Sequence, residues 1–240
     1  MSFDAGIALC AGLWATVVMT AILSVSLGLG WTHLEFGRLL GGMLDGIDRR
    51  GTMLGMHLHG LIGLAFGLAY GWLFEAMGVP DGTGEAMAIG ACIGIYHWLL
   101  SMPLIGMAAA LNAHVRAGRL MNPGLWGIHL GPQEGLMRLV AHIAFGTTMG
   151  GISAWLQPQG QQATMGWLTV TGILGWVGIV GYHVACLAPS LLPRVTFEPA
   201  ESSASEDRER ARKELLARYR RGDLTWDEYQ HERRALASEP

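Results

Sequence analysis

Residues 52–77 read Thr-Met-Leu-Gly-Met-His-Leu-His-Gly-Leu-Ile-Gly-Leu-Ala-Phe-Gly-Leu-Ala-Tyr-Gly-Trp-Leu-Phe-Glu-Ala-Met. Glu75 is the only acidic or basic side chain in the stretch, and it lies near the far end. A helix needs about 20 mostly apolar residues to cross the hydrocarbon core of a bilayer, and this stretch exceeds that. Four more follow the same rule: Ala5–Gly28, Ala86–Leu111, Leu136–Leu156 and Met165–Leu192. Arg138, at the start of the fourth, is the only other charge inside these windows. The pattern predicts an all-α, polytopic membrane helix bundle of five spans, with the lipid bilayer as its solvent.

Arginine placement orients it. Arg38, Arg49 and Arg50 separate the first two spans, Arg116 and Arg119 the third and fourth, and Arg194 follows the fifth, whereas 78–85 and 157–164 contain no basic residue. Positive residues of short loops stay on the cytoplasmic side. The chain is therefore expected in the cell (inner) membrane with its N-terminus outside and its C-terminus in the cytoplasm. Asp4 stands where a secretory signal would carry its basic region, so the first span is expected to be retained.

Ten of the 16 Lys and Arg residues and 11 of the 19 Asp and Glu residues fall after Pro193. The net charge of -3 thus says little about partners, and the membrane part offers no basic surface for nucleic acid. Cys10, Cys92 and Cys186 each sit in a span without Cys-x-x-Cys spacing, which fits small buried hydrophobes better than a thiolate site. Phosphate-binding glycine loops, nucleophile elbows and His-Glu-x-x-His helices are absent from the sequence.

Compared with itself at an offset of about 80 residues, the chain shows a duplication. Gly37-Arg38-Leu39-Leu40 recurs as Gly118-Arg119-Leu120-Met121, and Leu64-Ala65-Phe66-Gly67 with Gly71 recurs as Ile143-Ala144-Phe145-Gly146 with Gly150. The expected units are residues 5–78 and 86–157 in the same orientation, each a helix, an interfacial connector and a helix, with a fifth span at 165–192. The connectors are Trp31–Leu44 and Leu120–Leu130, read as amphipathic segments in the cytoplasmic headgroup layer. Gly63, Gly67 and Gly71, like Gly146 and Gly150, recur every fourth residue, and Gly172, Gly175, Gly178 and Gly181 every third, which lets helix backbones approach closely.

Histidines carry the only chemical signal. His57 and His59 open the second span, His142 opens the fourth and His183 lies in the inner half of the fifth. A rise of about 1.5 Å per residue from the flanking arginines puts all four in the cytoplasmic half of the bilayer, with His97 further out. Three readings are open: hydrogen bonds to a carbonyl or serine across helix contacts, a haem or transition-metal site, or a proton, ion or small-solute path. Rings at His57 and His59 point about 200° apart on a helix, so only one of them faces a given neighbour, which weakens a chelate.

Residues 194–205 form a polar linker, and 206–237 a helical hairpin: helix formers Glu206–Arg221, Gly222 as a stop, and a Thr225-x-x-Glu228 capping box. Leu215, Leu216, Tyr219, Leu224, Tyr229 and Leu236 give it an apolar face for a partner or a second copy. The run Arg-Lys-Glu-Leu-Leu-Ala-Arg-Tyr-Arg-Arg-Gly-Asp-Leu-Thr-Trp-Asp-Glu-Tyr resembles the SHOCT (short C-terminal) domain family. That resemblance implies a small accessory module for oligomerisation or protein contact, with no catalytic residue. The membrane part, through Arg38-Leu39-Leu40-Gly41 and His59-x-x-x-Gly63-x-x-x-Gly67-x-x-Tyr70, is more loosely similar to small bacterial integral membrane proteins. Taken together, the sequence favours a non-enzymatic membrane component that oligomerises or docks a partner.

Overall fold

The computed structural model describes residues 1–157, 162–186, 211, 214–216, 218–219, 223–224 and 226–238. All regular structure among them is helical. The chain divides into two units, 1–192 and 193–240.

The first unit contains α1 (Ala5–Gly28), α2 (Phe36–Leu44), α3 (Arg49–Ala76), α4 (Thr83–Leu111), the single turn α5 (Ala113–Arg116), a 3₁₀ segment (Leu125–Leu130), α6 (Pro132–Leu156) and α7 (Gln162–Cys186). Helices α1, α3, α4, α6 and α7 are long and apolar enough to cross a membrane. Their starts lie at caps, not at the first apolar residue. Asp4 accepts from the Ile7 amide at 3.0 Å and Asp48 from the Gly51 amide at 2.8 Å, while Pro132 opens α6 where a missing N–H is harmless. For this reason α3 begins at Arg49 instead of Thr52, and α6 at Pro132 instead of Leu136. The predicted last stretch of the fifth span, 187–192, lies outside the described residues.

Glycine decides which helices touch. On α1 and α3, Ala8 faces Gly71, Gly12 faces Gly67 and Thr16 faces Gly63; on α4 and α6, Ala86 faces Gly150, Gly90 faces Gly146 and Gly94 faces His142. Each position of the second pairing lies 78 or 79 residues after its counterpart in the first. A Cβ at Gly67 would come within 2.8 Å of the Gly12 Cα, and one at Gly146 would overlap the Gly90 carbonyl. Backbone therefore packs on backbone in both pairs.

The two connectors differ, in spite of their matching sequences. Gly37 and Gly41 on α2 pack against Gly55 and Gly51 on α3, so α2 folds back along the start of α3. Gly118, the counterpart of Gly37, instead sits at φ +67 in the turn after α5. Asn112 ties the connectors together: its side-chain amide donates to the Leu39 carbonyl at 2.8 Å, and its Oδ1 caps the His114 amide. At the opposite end, the Met1 amino group donates to the Val79 carbonyl at 2.6 Å and lies 3.2 Å from Asp81, and Ser2 and Gln157 exchange hydrogen bonds. The N-terminus, the α3–α4 loop and the end of α6 thus share one end of the unit.

A core of Ala11, Met19, Tyr70, Phe74, Phe145 and Met149 joins the two helix pairs. Helix α7 packs through Val180 and Val184 against Met56 of α3, and through Gly172 and Gly175 against Leu13 and Val17 of α1.

In the second unit, residues 211, 214–216 and 218–219 are helical and α8 spans Trp226–Ser238. The rings of Tyr219 and Tyr229 stack at 4.9 Å, and Arg218 pairs with Glu232 at 3.0 Å. Leu215 is buried, and Leu216, Leu224 and Leu236 are half-buried. The predicted stop at Gly222, the capping Thr225 and the linker lie outside the described residues.

Candidate functional site

Every buried histidine of the membrane unit meets a hydroxyl across a helix contact. His59 Nε2 lies 3.1 Å from Thr20 Oγ1, His183 Nε2 lies 2.8 Å from Ser24 Oγ, and His142 Nε2 lies 2.9 Å from Ser101 Oγ. His97 Nδ1 lies 3.4 Å from the Tyr70 hydroxyl. His57, as its spacing from His59 requires, turns outward, and its Nδ1 lies 2.7 Å from the Met53 carbonyl of its own helix. The structure therefore splits the four predicted residues: His59 and His183 line one cavity, His142 belongs to a second cluster, and His57 belongs to neither. His97 joins His142 with ring centroids 4.7 Å apart, and stacks on Phe66 at 3.9 Å. Among the described residues, no three His, Cys, Asp or Glu side chains are placed to hold a metal ion.

Counting donors fixes the tautomer of His59. Thr20 Oγ1 spends its hydrogen on the Thr16 carbonyl at 2.7 Å, so it can only accept from the ring. Neutral His59 therefore carries its hydrogen on Nε2, and Nδ1 is a bare acceptor, buried without a partner among the described residues. By the same rule Ser24, which donates to the Thr20 carbonyl at 2.6 Å, accepts from His183 Nε2. His142 is the reverse case. Its Nδ1 donates to the Arg138 carbonyl at 2.7 Å, so in the neutral ring Nε2 can only accept, and the single hydrogen of Ser101 is shared between that nitrogen at 2.9 Å and the Trp98 carbonyl at 3.2 Å.

Between these clusters stands a buried ion pair. Arg138 Nε and Nη2 reach Glu134 Oε1 at 2.8 and 2.7 Å, and both side chains are almost wholly enclosed. Glu134 Oε2 accepts from the backbone amides of His33 and Leu34 at 2.8 and 3.4 Å, and Arg138 Nη2 also donates to the Leu34 carbonyl at 3.4 Å. The start of α6 is thus latched to the chain between α1 and α2. Phe36 lies over the guanidinium at 5.9 Å and meets the His59 ring edge-on at 4.9 Å. The remaining nitrogen, Nη1, has no protein partner among the described residues.

Arg138, His59, His183, Thr20, Ser24 and Phe36 line one cavity of about 20 Å³ between α1, α2, α3, α6 and α7. Such a volume admits about one water-sized group.

Glu134 lies outside the apolar window of the fourth span, but Glu134-x-x-x-Arg138 is the spacing of a helical ion pair. Thr16, Thr20 and Ser24 likewise recur every fourth residue, a polar stripe inside an apolar span.

No family model, curated protein or solved structure matches this chain.

Proposed function

We propose that the protein is an integral component of the cell (inner) membrane that assembles with its own copies, or with a membrane protein partner, through α7 and the C-terminal hairpin, without catalysing a reaction. The bilayer reading is supported by charge at the two ends of the first unit. Arg38, Arg49, Arg50, Arg116, Arg119 and Arg138 belong to the connector end, which Asn112 ties together, whereas Asp4, Asp81 and Glu85 belong to the other. That distribution of arginines supports a cytoplasmic position for the connectors. Large apolar side chains on the outside, such as Trp72, Leu100 and Trp167, suit lipid contact.

The assembly reading rests on α7. Val170, Leu174 and Val177 point outward on it at helical spacing, and Gly181 continues the stripe with open space above it. Gly63, Gly67 and Gly71 of α3 and Gly146 and Gly150 of α6, in contrast, meet α1 and α4. Beyond the linker, the SHOCT-like hairpin offers Leu216, Leu224 and Leu236 beside its Tyr219–Tyr229 stack.

Mass measurement in detergent tests this. The full chain is expected as an oligomer, and either Gly181→Phe or removal of 194–240 is expected to weaken association at least tenfold while the helical content stays unchanged. A monomeric full chain at micromolar concentration, or an oligomer indifferent to both changes, contradicts it.

A further inference from the structure

We propose that the second connector, residues 112–131, binds an acidic phospholipid of the surrounding leaflet, with Arg116 and Arg119 on its phosphate and Leu125 and Ile128 beside its acyl chains. This goes beyond an assembly role and rests on the bilayer as the surrounding medium. Charge, guanidinium placement and bare apolar side chains coincide on this one connector.

The two connectors differ in charge. Residues 31–50 set Glu35, Asp45 and Asp48 against Arg38, Arg49 and Arg50, three of each sign. Arg38 pairs with Glu35 at 3.4 Å and Arg50 with Asp45 at 3.1 Å, so two of these cations are already answered within the chain. Residues 112–131 contain Arg116 and Arg119 and no Asp or Glu. Both are exposed, and among the described residues neither pairs with a carboxylate. Each cation left free beside an acidic leaflet is worth about fivefold in affinity.

Arg116 is held in place by the backbone. Its Nη1 donates to the Leu111 carbonyl at 2.8 Å and to the Ala110 carbonyl at 3.4 Å, the last two carbonyls of α4. That fixes the guanidinium where the span ends, beside an exposed Leu111. Its Nε and Nη2 donate to no protein atom among the described residues, which leaves a free edge of the guanidinium for phosphate oxygens. Arg119 follows after the turn that Gly118 makes at φ +67.

The apolar side chains are turned out by the backbone. Trp126 at φ +63 and Gly127 at φ +72 hold a left-handed conformation that a bulky residue rarely takes. Packing maintains it: the Trp126 ring meets Trp98 at 5.2 Å, and Gly127 lies against Glu134 and Met102. With Trp126 packed on the core, its neighbours Leu125 and Ile128 are 54% and 66% exposed. Bare apolar side chains next to unpaired arginines match the level at which headgroups meet acyl chains. Free phosphate would leave those side chains in water, whereas a phospholipid covers them and the arginines together.

The experiment titrates the full chain in detergent with dioleoylphosphatidylglycerol or dioleoylphosphatidylcholine and counts adducts by native mass spectrometry. The acidic lipid is expected to bind at least tenfold more tightly than the zwitterionic one. Arg119→Gln, which breaks no bond within the protein, is expected to weaken the acidic lipid about fivefold, and Arg116→Gln with Arg119→Gln to bring the two lipids within about twofold of each other. Arg50→Gln removes the same formal charge from the first connector and is expected to leave the preference unchanged. Equal binding of the two lipids by the unaltered chain, a preference that survives the double variant, or one that Arg50→Gln lowers as much as Arg119→Gln does, overturns the proposal. Displacement of the acidic lipid by millimolar inorganic phosphate would also overturn it, by making the arginines a site for a free anion. A chain that stays folded and soluble without detergent would instead overturn the bilayer reading, and this proposal with it.

Discussion

Glu134→Ala is expected to destabilise the first unit by about 3–5 kcal/mol, the range for removing one partner of a buried ion pair. The loss has two sources. Arg138 keeps its charge in a fully enclosed position with its main acceptor gone, and the His33 and Leu34 amides lose the carboxylate that holds them at 2.8 and 3.4 Å. The chain between α1 and α2 is then released from α6. Replacing both partners, as in Glu134→Leu with Arg138→Met, removes the stranded charge and is expected to recover at least half of the loss, since a packed apolar pair often equals a buried ion pair. Reversible unfolding in detergent, followed by far-ultraviolet circular dichroism, measures both. A single variant within about 1 kcal/mol of the parent would show that the pair is hydrated and exposed, contrary to its burial.

Gly146→Val is expected to be the most damaging single change in the helix interior. A side chain there would overlap the Gly90 carbonyl, and no rotamer change relieves a clash with backbone. Helices α4 and α6 would have to separate along the whole contact that also seats Gly94 on His142 and Gly150 on Ala86. Overpacking typically costs about 1–3 kcal/mol and occasionally more, and backbone overlap puts this variant at or above about 3 kcal/mol on that scale. Gly166→Ala on α7, where nothing lies within 4 Å, is the matched control and should stay within about 0.5 kcal/mol of the parent. Equal behaviour of the two variants would contradict the backbone-on-backbone contact.

The long apolar helices were legible because hydropathy over about 20 residues is a local property, and their glycine spacing already announced close packing. Gly67 and Gly146 could be read as small-residue contacts, but not the identity of their partners, because spacing along one helix does not say which helix faces it: Gly90-x-x-x-Gly94 is itself such a stripe, and Gly12 has no glycine four residues away. The histidine site was legible only in part. The 200° divergence of His57 and His59 correctly separated one from the other, whereas depth counting set His97 apart from His142, although their rings meet at 4.7 Å. Counting along a helix gives a height but not an azimuth, and the crossing of α4 over α6 through Gly94 brings the two rings to the same level. Glu134 precedes the apolar run of the fourth span. Its burial depends on His33 and Leu34, about a hundred positions earlier, folding over it.

The two matched sequence pairs also behave differently for a physical reason. Gly67 and Gly146 are held by equivalent neighbours, so their surroundings coincide, while Gly37 faces Met56 of α3 and Gly118 faces open space. A shared motif keeps its conformation only where the packing that selects it is shared. The matched stretches therefore share their surroundings in the helix pairs and not in the connectors.

Cysteine accessibility in intact cells tests most directly that these helices cross a bilayer with the connectors inside. In a background with Cys10, Cys92 and Cys186 replaced by alanine, Asp81→Cys and Arg119→Cys would be treated with a membrane-impermeant maleimide before and after permeabilisation. Asp81→Cys is expected to react in intact cells, and Arg119→Cys only once the membrane is opened. Labelling of Arg119→Cys in intact cells, or recovery of the chain in the aqueous fraction without detergent, would contradict it.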